Sequence, residues 1–436
     1  MTQHSGVATA RRNYRLGLVN GIMFTFGESI SNPSLVLALL IRQLGASLTV
    51  IGALPAIQTA GYLLPQILVS GALQGRPYKL PTYRLVGGIR LVAQLALVAA
   101  IVSAGMIAPG LALTLIVGLF ALFNLCGGIT TLSFQDVVAK TVPPSRRGSY
   151  FGTRQLFGGL LAFALGGPLV RWALSAGSPL AFPLNFGLLS ATSLLCFTIA
   201  IAAFALVREP PQERLTPPLR LSEGLRRAPE LLRGNHNYRW FIITRLLIRL
   251  GQIAEPFYII YATERLGLPA SVSGVLVATA ALSGALSNIL WSRIADKQSS
   301  RRLIPIVGSL FLAAPLLLIA GPDLAIGLGL GQTALTVAVG LVALLSGSAN
   351  DGIGIVAMTY ILDVVPENER PTYLGLANAI LGLGALVPIV GGRLVEGLGY
   401  QPTFLLAAVC ALAGLLASRK LREPQSSHMT HASQQH

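Results

Sequence analysis

Apolar runs of about 20 residues, long enough to cross about 30 Å of hydrocarbon as helices, recur along the whole chain. Polar or Pro/Gly-rich punctuation separates them. The pattern predicts twelve spans, the first six near 16–41, 48–74, 83–105, 110–138, 148–176 and 183–207. The second six fall near 238–264, 271–294, 302–320, 333–362, 370–397 and 401–418. Helices are expected because each then satisfies its own backbone hydrogen bonds in the absence of water. The reading is an all-α polytopic membrane protein with two six-helix bundles, 1–207 and 238–420. A polar connector at 208–237 joins them, and a polar, disordered tail is expected at 421–436.

The two bundles echo each other. Leu44 to Gly52 (LGASLTVIG) matches Leu266 to Gly274 (LGLPASVSG), and Val142 to Gly152 (VPPSRRGSYFG) matches Val365 to Gly375 (VPENERPTYLG). The loop after span two also aligns with the loop after span eight. Matches in the same order at nearly the same offset imply two copies of one six-helix unit, related as parallel repeats.

Composition narrows the class further. Only 11% of residues are charged, against about 25% in a soluble protein, and 53% are hydrophobic. The net charge of +16 would suggest nucleic acid in a soluble chain. Here it reads as the lysine and arginine excess of cytoplasmic loops, so no nucleic-acid partner is expected. Placing both termini in the cytoplasm leaves only Arg42, Arg171, Arg265 and Arg393 on the opposite side. Arg90, Arg154, Arg245 and Arg249 then fall within or beside spans. Trp172, Trp240 and Trp291 lie near span ends, where indole suits the membrane interface.

The three cysteines sit in apolar runs, and all five histidines lie in tails or the connector. No spacing suggests a disulfide framework or a metal cluster. No nucleophile motif or phosphate loop appears either, so neither an enzyme nor an ATP-driven pump is expected, and no cofactor. No cleavable signal peptide is expected at the first, long apolar run. Within the connector, LRLSEGLRRAPELLR reads either as a basic amphipathic helix on the inner leaflet, interrupted by Pro229, or as a solvated tether.

With two six-span halves, a long central loop and short basic loops after spans two and eight, the chain resembles the major facilitator superfamily. That family's loop signature is roughly G-x-x-x-D-[RK]-x-G-[RK]-[RK]. The second half carries part of it as Asp296-Lys297 followed by Arg301-Arg302, whereas the first half has Gln74-Gly75-Arg76 where the acid would stand. The resemblance implies a transporter in which spans one, four, seven and ten line a central cavity. It also implies a cytoplasmic gating role for Asp296 and Lys297. Arg76, Asp136, Arg147, Arg302 and Arg370 are further candidates for gate pairs at that face, each of which can equally be a solvated loop charge.

Ionisable side chains within spans are costly, at about 2.5–3.5 kcal/mol near a helix centre, so they mark cavities or partners. In span one Gly21, Thr25, Glu28 and Asn32 share a helix face, with Pro33 following. Glu28 stands about 12 residues in, about 18 Å deep at 1.5 Å per residue. Loss of water disfavours a carboxylate's charged form, which makes Glu28 a candidate proton carrier. The alternative is a structural helix–helix bond. Span four offers Asn124, Gly128, Thr131 and Gln135 on one face. Span seven offers Arg249, Gln252 and Glu255, with Pro256 after the acid, while Arg245 is expected to snorkel to the cytoplasmic interface. In span ten Asn350 and Asp351 are adjacent, so at most one points squarely into a cavity, and Asp351 is preferred. A Glu28–Arg249 pair across the cavity is expected either as a switch or as a static pair.

The expected function is secondary active transport of a small solute across the inner (plasma) membrane by alternating access, coupled to H+ and carried out by a monomer. The alternatives are an uncoupled facilitator and a non-transporting membrane assembly or scaffold protein on the same fold. Few aromatic residues fall on the expected cavity faces, which argues against a large aromatic pocket.

Overall fold

The structure is a computed structural model that describes residues 2–74, 76–211, 228–298, 300–365 and 370–422. All regular structure among these residues is helical. Eleven helical segments among them are long and apolar enough to cross a membrane. They correspond to every expected span except span seven. That span is still helical from His236 to Glu264, but Arg245, Arg249, Gln252 and Glu255 make it too polar to qualify.

Among the described residues four spans are broken in mid-course, and they pair by repeat: one with seven, and five with eleven. Span one runs as Thr2–Ile30, a π-helical turn Pro33–Leu37 and a last turn Ala38–Gln43. Pro33 has no N–H to give, and the Asn32 side chain restores the start of the next segment by accepting from Ser34 N (2.9 Å) and Leu35 N (3.0 Å). Span seven passes from helix (His236–Gly251) through a 3-10 stretch (Gln252–Phe257) back to helix (Tyr258–Glu264). Span five carries a π-helical turn at Ala162–Gly166, and span eleven a 3-10 turn at Gly384–Leu386.

The chain forms two compact units. One comprises Met1–Leu219 with Ile259–Ala285, the other Arg220–Tyr258 with Leu286–His436. In the first, span one packs on spans five and six, and span four on spans two and three. Glycine allows the closest approach: a Cβ on Gly128 would meet the Tyr62 carbonyl oxygen at 2.6 Å and that of Gly61 at 2.7 Å. The segment Ile259–Ala285 joins this unit through similar contacts. A Cβ on Gly167 would lie 2.5 Å from the Ala278 Cβ, and Arg42 Nε meets Glu264 Oε1 at 2.5 Å. The second unit has an aromatic core of Tyr238, Phe241, Phe311 and Tyr360.

Trp291 departs from its expected interfacial place. It is buried in that core and donates to the Ser348 carbonyl (2.9 Å), because its span packs there against span ten. The connector begins ordered: the Asn13 side chain pairs with the backbone N–H and carbonyl of Arg208. Of the expected amphipathic helix, Ala228–Gly234, which contains Pro229, is described as helix. The remainder of that stretch, and the tail from 423, lie outside the described residues.

Candidate functional site

The first unit contains a cavity of about 560 Å³, within the range of small-molecule sites. Each wall comes from one helix face. Span one gives Asn20, Phe24 and Glu28, each four residues from the last; span three gives Tyr83 and Arg90, seven apart. Span two supplies Gln58, Thr59, Tyr62 and Leu63, span four Thr130, Thr131 and Phe134, and span five Arg154.

A three-membered chain of side chains crosses this cavity. Arg90 Nη2 donates to the Tyr62 hydroxyl at 2.9 Å, and that hydroxyl donates to Glu28 Oε1 at 3.1 Å. Arg90 is only 2% exposed. Its guanidinium carbon lies 4.1 Å from the ring centre of Phe123, 4.7 Å from Phe24 and 5.7 Å from Tyr62. Desolvated contacts of this kind are worth up to about 2 kcal/mol each, comparable in sum with the cost of the buried cation. One donor is left over: Arg90 Nε is buried without a hydrogen-bond partner. Arg154 lies over Phe134 (4.5 Å) and donates to Asn20 Oδ1 (3.0 Å) and to the Tyr150 hydroxyl (3.3 Å).

The sequence stripe in span one is rotated from this face. Gly21 is covered by Arg154 and Thr25 packs on Gly158, so both serve the contact with span five. Asn32 is a cap. In span four Asn124 bonds its own helix, donating to the Phe120 carbonyl (2.7 Å), while Gly128 provides close packing. Thr131 alone of the four faces the cavity, and Gln135 is exposed. Four aromatic rings (Phe24, Tyr62, Tyr83, Phe134) line the walls, which corrects the expectation of few.

The second unit holds its own network. Arg249 Nη1 donates to Gln252 Oε1 (2.9 Å), Gln252 Nε2 to Asn350 Oδ1 (2.6 Å), and Asn350 Nδ2 to Glu255 Oε1 (2.8 Å). The 3-10 stretch starting at Gln252 sets this spacing. Asn350 is thus the member of its pair that joins span seven, whereas Asp351 bonds Asn288 of span eight. Arg245 is half-buried and reaches the Ile353 carbonyl at 3.3 Å. Glu28 and Arg249 each have partners in their own unit.

Comparison with known proteins now bears on these features. The family profile described as Major Facilitator Superfamily matches residues 17–349 and 324–435. The chain belongs to the major facilitator superfamily. It is therefore a multi-pass membrane transporter of a non-enzymatic family that moves small solutes. Among relatives, the uncharacterized MFS-type transporter YfnC of Bacillus subtilis (strain 168) is 30% identical over 176 residues. That match spans 38% of this chain and 39% of YfnC. Similar solved structures include a D-xylose–proton symporter, with a TM-score of 0.68 at 14% identity, covering 95% of this chain and 98% of that one. The nucleoside transporter NupG (D323A mutant) gives 0.64 at 15%, covering 94% and 100%. A bacterial homologue of the iron transporter ferroportin, in its inward-facing state, gives 0.63 at 16%, covering 94% and 98%. At these identities the likeness is one of superfamily fold.

The loop between spans two and three is held by Glu209, whose side chain is only 2% exposed. Its carboxylate accepts from Lys79 N (2.9 Å) and Leu80 N (2.7 Å), capping the start of span three, and from Lys140 Nζ (2.7 Å). Asp136 pairs with Lys140 (3.3 Å) and Lys79 (3.9 Å). Burial holds the Lys79 ammonium below the usual lysine range, against the opposing pull of Asp136 and Glu209. Arg147 donates to the carbonyls of Ala139 (2.7 Å) and Val142 (3.2 Å) at the end of span four, and Arg76 reaches Thr82 (3.2 Å). These expected gate residues therefore have partners within their own unit. Arg302 is exposed, and the side chains of Asp296, Lys297 and Arg370 lie outside the described residues.

Proposed function

We propose that this transporter is a proton-coupled secondary carrier of a small solute, working by alternating access in the inner (plasma) membrane as a monomer with both termini in the cytoplasm. Glu28 is its proton site. The observation that carries the reading is the placement of that carboxyl group. It is the cavity's acid, and it is joined to a buried cation through one hydroxyl. A proton on Glu28 changes the charge felt at Arg90 without any backbone movement, so loading of the proton and of the solute can be linked. Glu255 and Asp351 of the second unit are secondary proton sites, with Asn350 and Gln252 as their hydrogen-bonding companions.

The test is a stabilisation screen of solutes on the purified protein, followed by vesicle uptake of each hit with and without an inward proton gradient. Wild-type uptake is expected to respond to the gradient, and Glu28→Gln uptake is expected to ignore it. A wild type indifferent to the gradient is an uncoupled facilitator. Activity that survives joint neutralisation of Glu28, Glu255 and Asp351 makes the polar network structural.

A further inference from the structure

Charge in the first unit's cavity is unbalanced. Two guanidiniums, Arg90 and Arg154, face one carboxylate, Glu28. Neither arginine makes a salt bridge to a carboxylate among the described residues; Glu28 reaches Arg90 only through the Tyr62 hydroxyl. The hydrogen bonds of Arg154 go to neutral groups, Asn20 and Tyr150. Arg90 keeps a buried N–H that nothing accepts. A desolvated guanidinium with an unused donor is the group that recognises carboxylates best, because its planar fork matches two oxygens.

The remaining walls describe the body of such a ligand. Phe24, Leu63 and Phe134 are apolar, and Tyr62 and Tyr83 also line the space. Gln58 and Thr131 line the same space and make no protein hydrogen bond among the described residues, so they can serve polar substituents. We infer that this cavity takes an organic anion, a carboxylate on an aromatic or similarly flat apolar body, and that one such anion travels with one proton on Glu28. The inference rests on the proton-coupled reading above.

The coupling follows from the groups around Glu28: Tyr62 from span two, Arg90 and Tyr83 from span three, and Arg154 from span five. With Glu28 ionised, its charge compensates Arg90 through Tyr62 and repels an incoming carboxylate. Once Glu28 takes a proton from water, the cavity holds two cations and no anion, and the solute's carboxylate fills that role. On the other side of the membrane the anion leaves, Glu28 returns its proton to water, and the pair with Tyr62 is restored. One monoanion and one proton cross together, so no net charge moves.

The probes are benzoate, its neutral isostere benzamide and the cation benzylamine, each titrated into the full chain in lipid nanodiscs. Benzoate is expected to bind about tenfold or more tightly than benzamide, with benzylamine weaker still. Its affinity should rise as pH falls in the wild type. In Glu28→Gln it should be high and independent of pH, an outcome that a purely structural Glu28 does not give. Arg154→Gln should weaken benzoate by about tenfold or more, and this variant serves where Arg90→Gln does not fold. Benzamide binding as well as benzoate, preference for benzylamine, no binding by any of the three, or weaker benzoate binding in Glu28→Gln overturns the inference. Benzoate-driven proton movement into proteoliposomes, above the leak of protein-free liposomes, tests the coupling separately. Binding without proton movement removes the coupling and keeps the anion site. Proton movement with neutral or cationic solutes alone removes the anion site and keeps the coupling.

Discussion

The Tyr62 hydroxyl does two jobs at once, accepting from Arg90 and donating to Glu28. Tyr62→Phe deletes both bonds and leaves a buried cation with one fewer acceptor. A loss of about 1–3 kcal/mol in unfolding free energy is expected, with a weakened response of uptake to pH, read by thermal unfolding and by vesicle assay. Glu209→Gln is the structural counterpart. It removes the charge that caps span three and pairs with Lys140, and should cost about 3 kcal/mol in stability while leaving the pH dependence of uptake unchanged. Glu28 was legible in the sequence because an acid in an apolar run is expensive. Arg90 carried the same signal, yet was read only as a charge inside or beside a span. Tyr62 carried none, since a tyrosine in an apolar helix looks like packing. Glu209 was hidden by distance: it stands 130 residues from the Lys79 amide it caps.

At the scale of elements, glycine and proline positions set how the walls meet. Gly128→Val must push span four away from the Tyr62 and Gly61 carbonyls, which a Cβ would meet at 2.6 and 2.7 Å. Because Tyr62 rides on span two, the expected result is a lower unfolding temperature together with reduced solute binding. Gly118→Val, at a glycine with nothing within 4 Å of its Cβ position, is the control expected to change neither. Asn32→Ala removes the cap on the Pro33–Leu37 turn and should cost about 1 kcal/mol. Pro33 and Pro256 stand at the breaks in spans one and seven, but proline alone does not set their form. A π-helical turn in one and a 3-10 stretch in the other turn the polar faces by different amounts. That is why Asn350, rather than Asp351, meets Gln252 and Glu255. The cavity face of span one, Asn20, Phe24 and Glu28, lies one step around from the stripe suggested by helical spacing, because Gly21 and Thr25 are taken up by the contact with span five.

For the whole molecule, hydropathy and internal repetition were enough to reach the all-helical, two-copy architecture, because both depend on segment length and order rather than on side-chain contacts, and resemblance to a known family supplied the superfamily. Span seven shows the limit of hydropathy: Arg245, Arg249, Gln252 and Glu255 make it a poor membrane span by composition. The proposed cytoplasmic placement of both termini rests on the distribution of arginine and lysine. Reporter fusions at either end are expected to report the cytoplasm, and a signal from the opposite side of the membrane would reverse the proposal. The central claim is that Glu28 gains and loses a proton within the transport cycle. Infrared spectroscopy of the protonated-carboxyl stretch tests it most directly, on purified protein in lipid, recorded across a pH titration for wild type, Glu28→Gln and Glu255→Gln. The account predicts a carboxyl band that titrates in the wild type, disappears in Glu28→Gln and persists in Glu255→Gln. A titrating spectrum that Glu28→Gln leaves unchanged would contradict it.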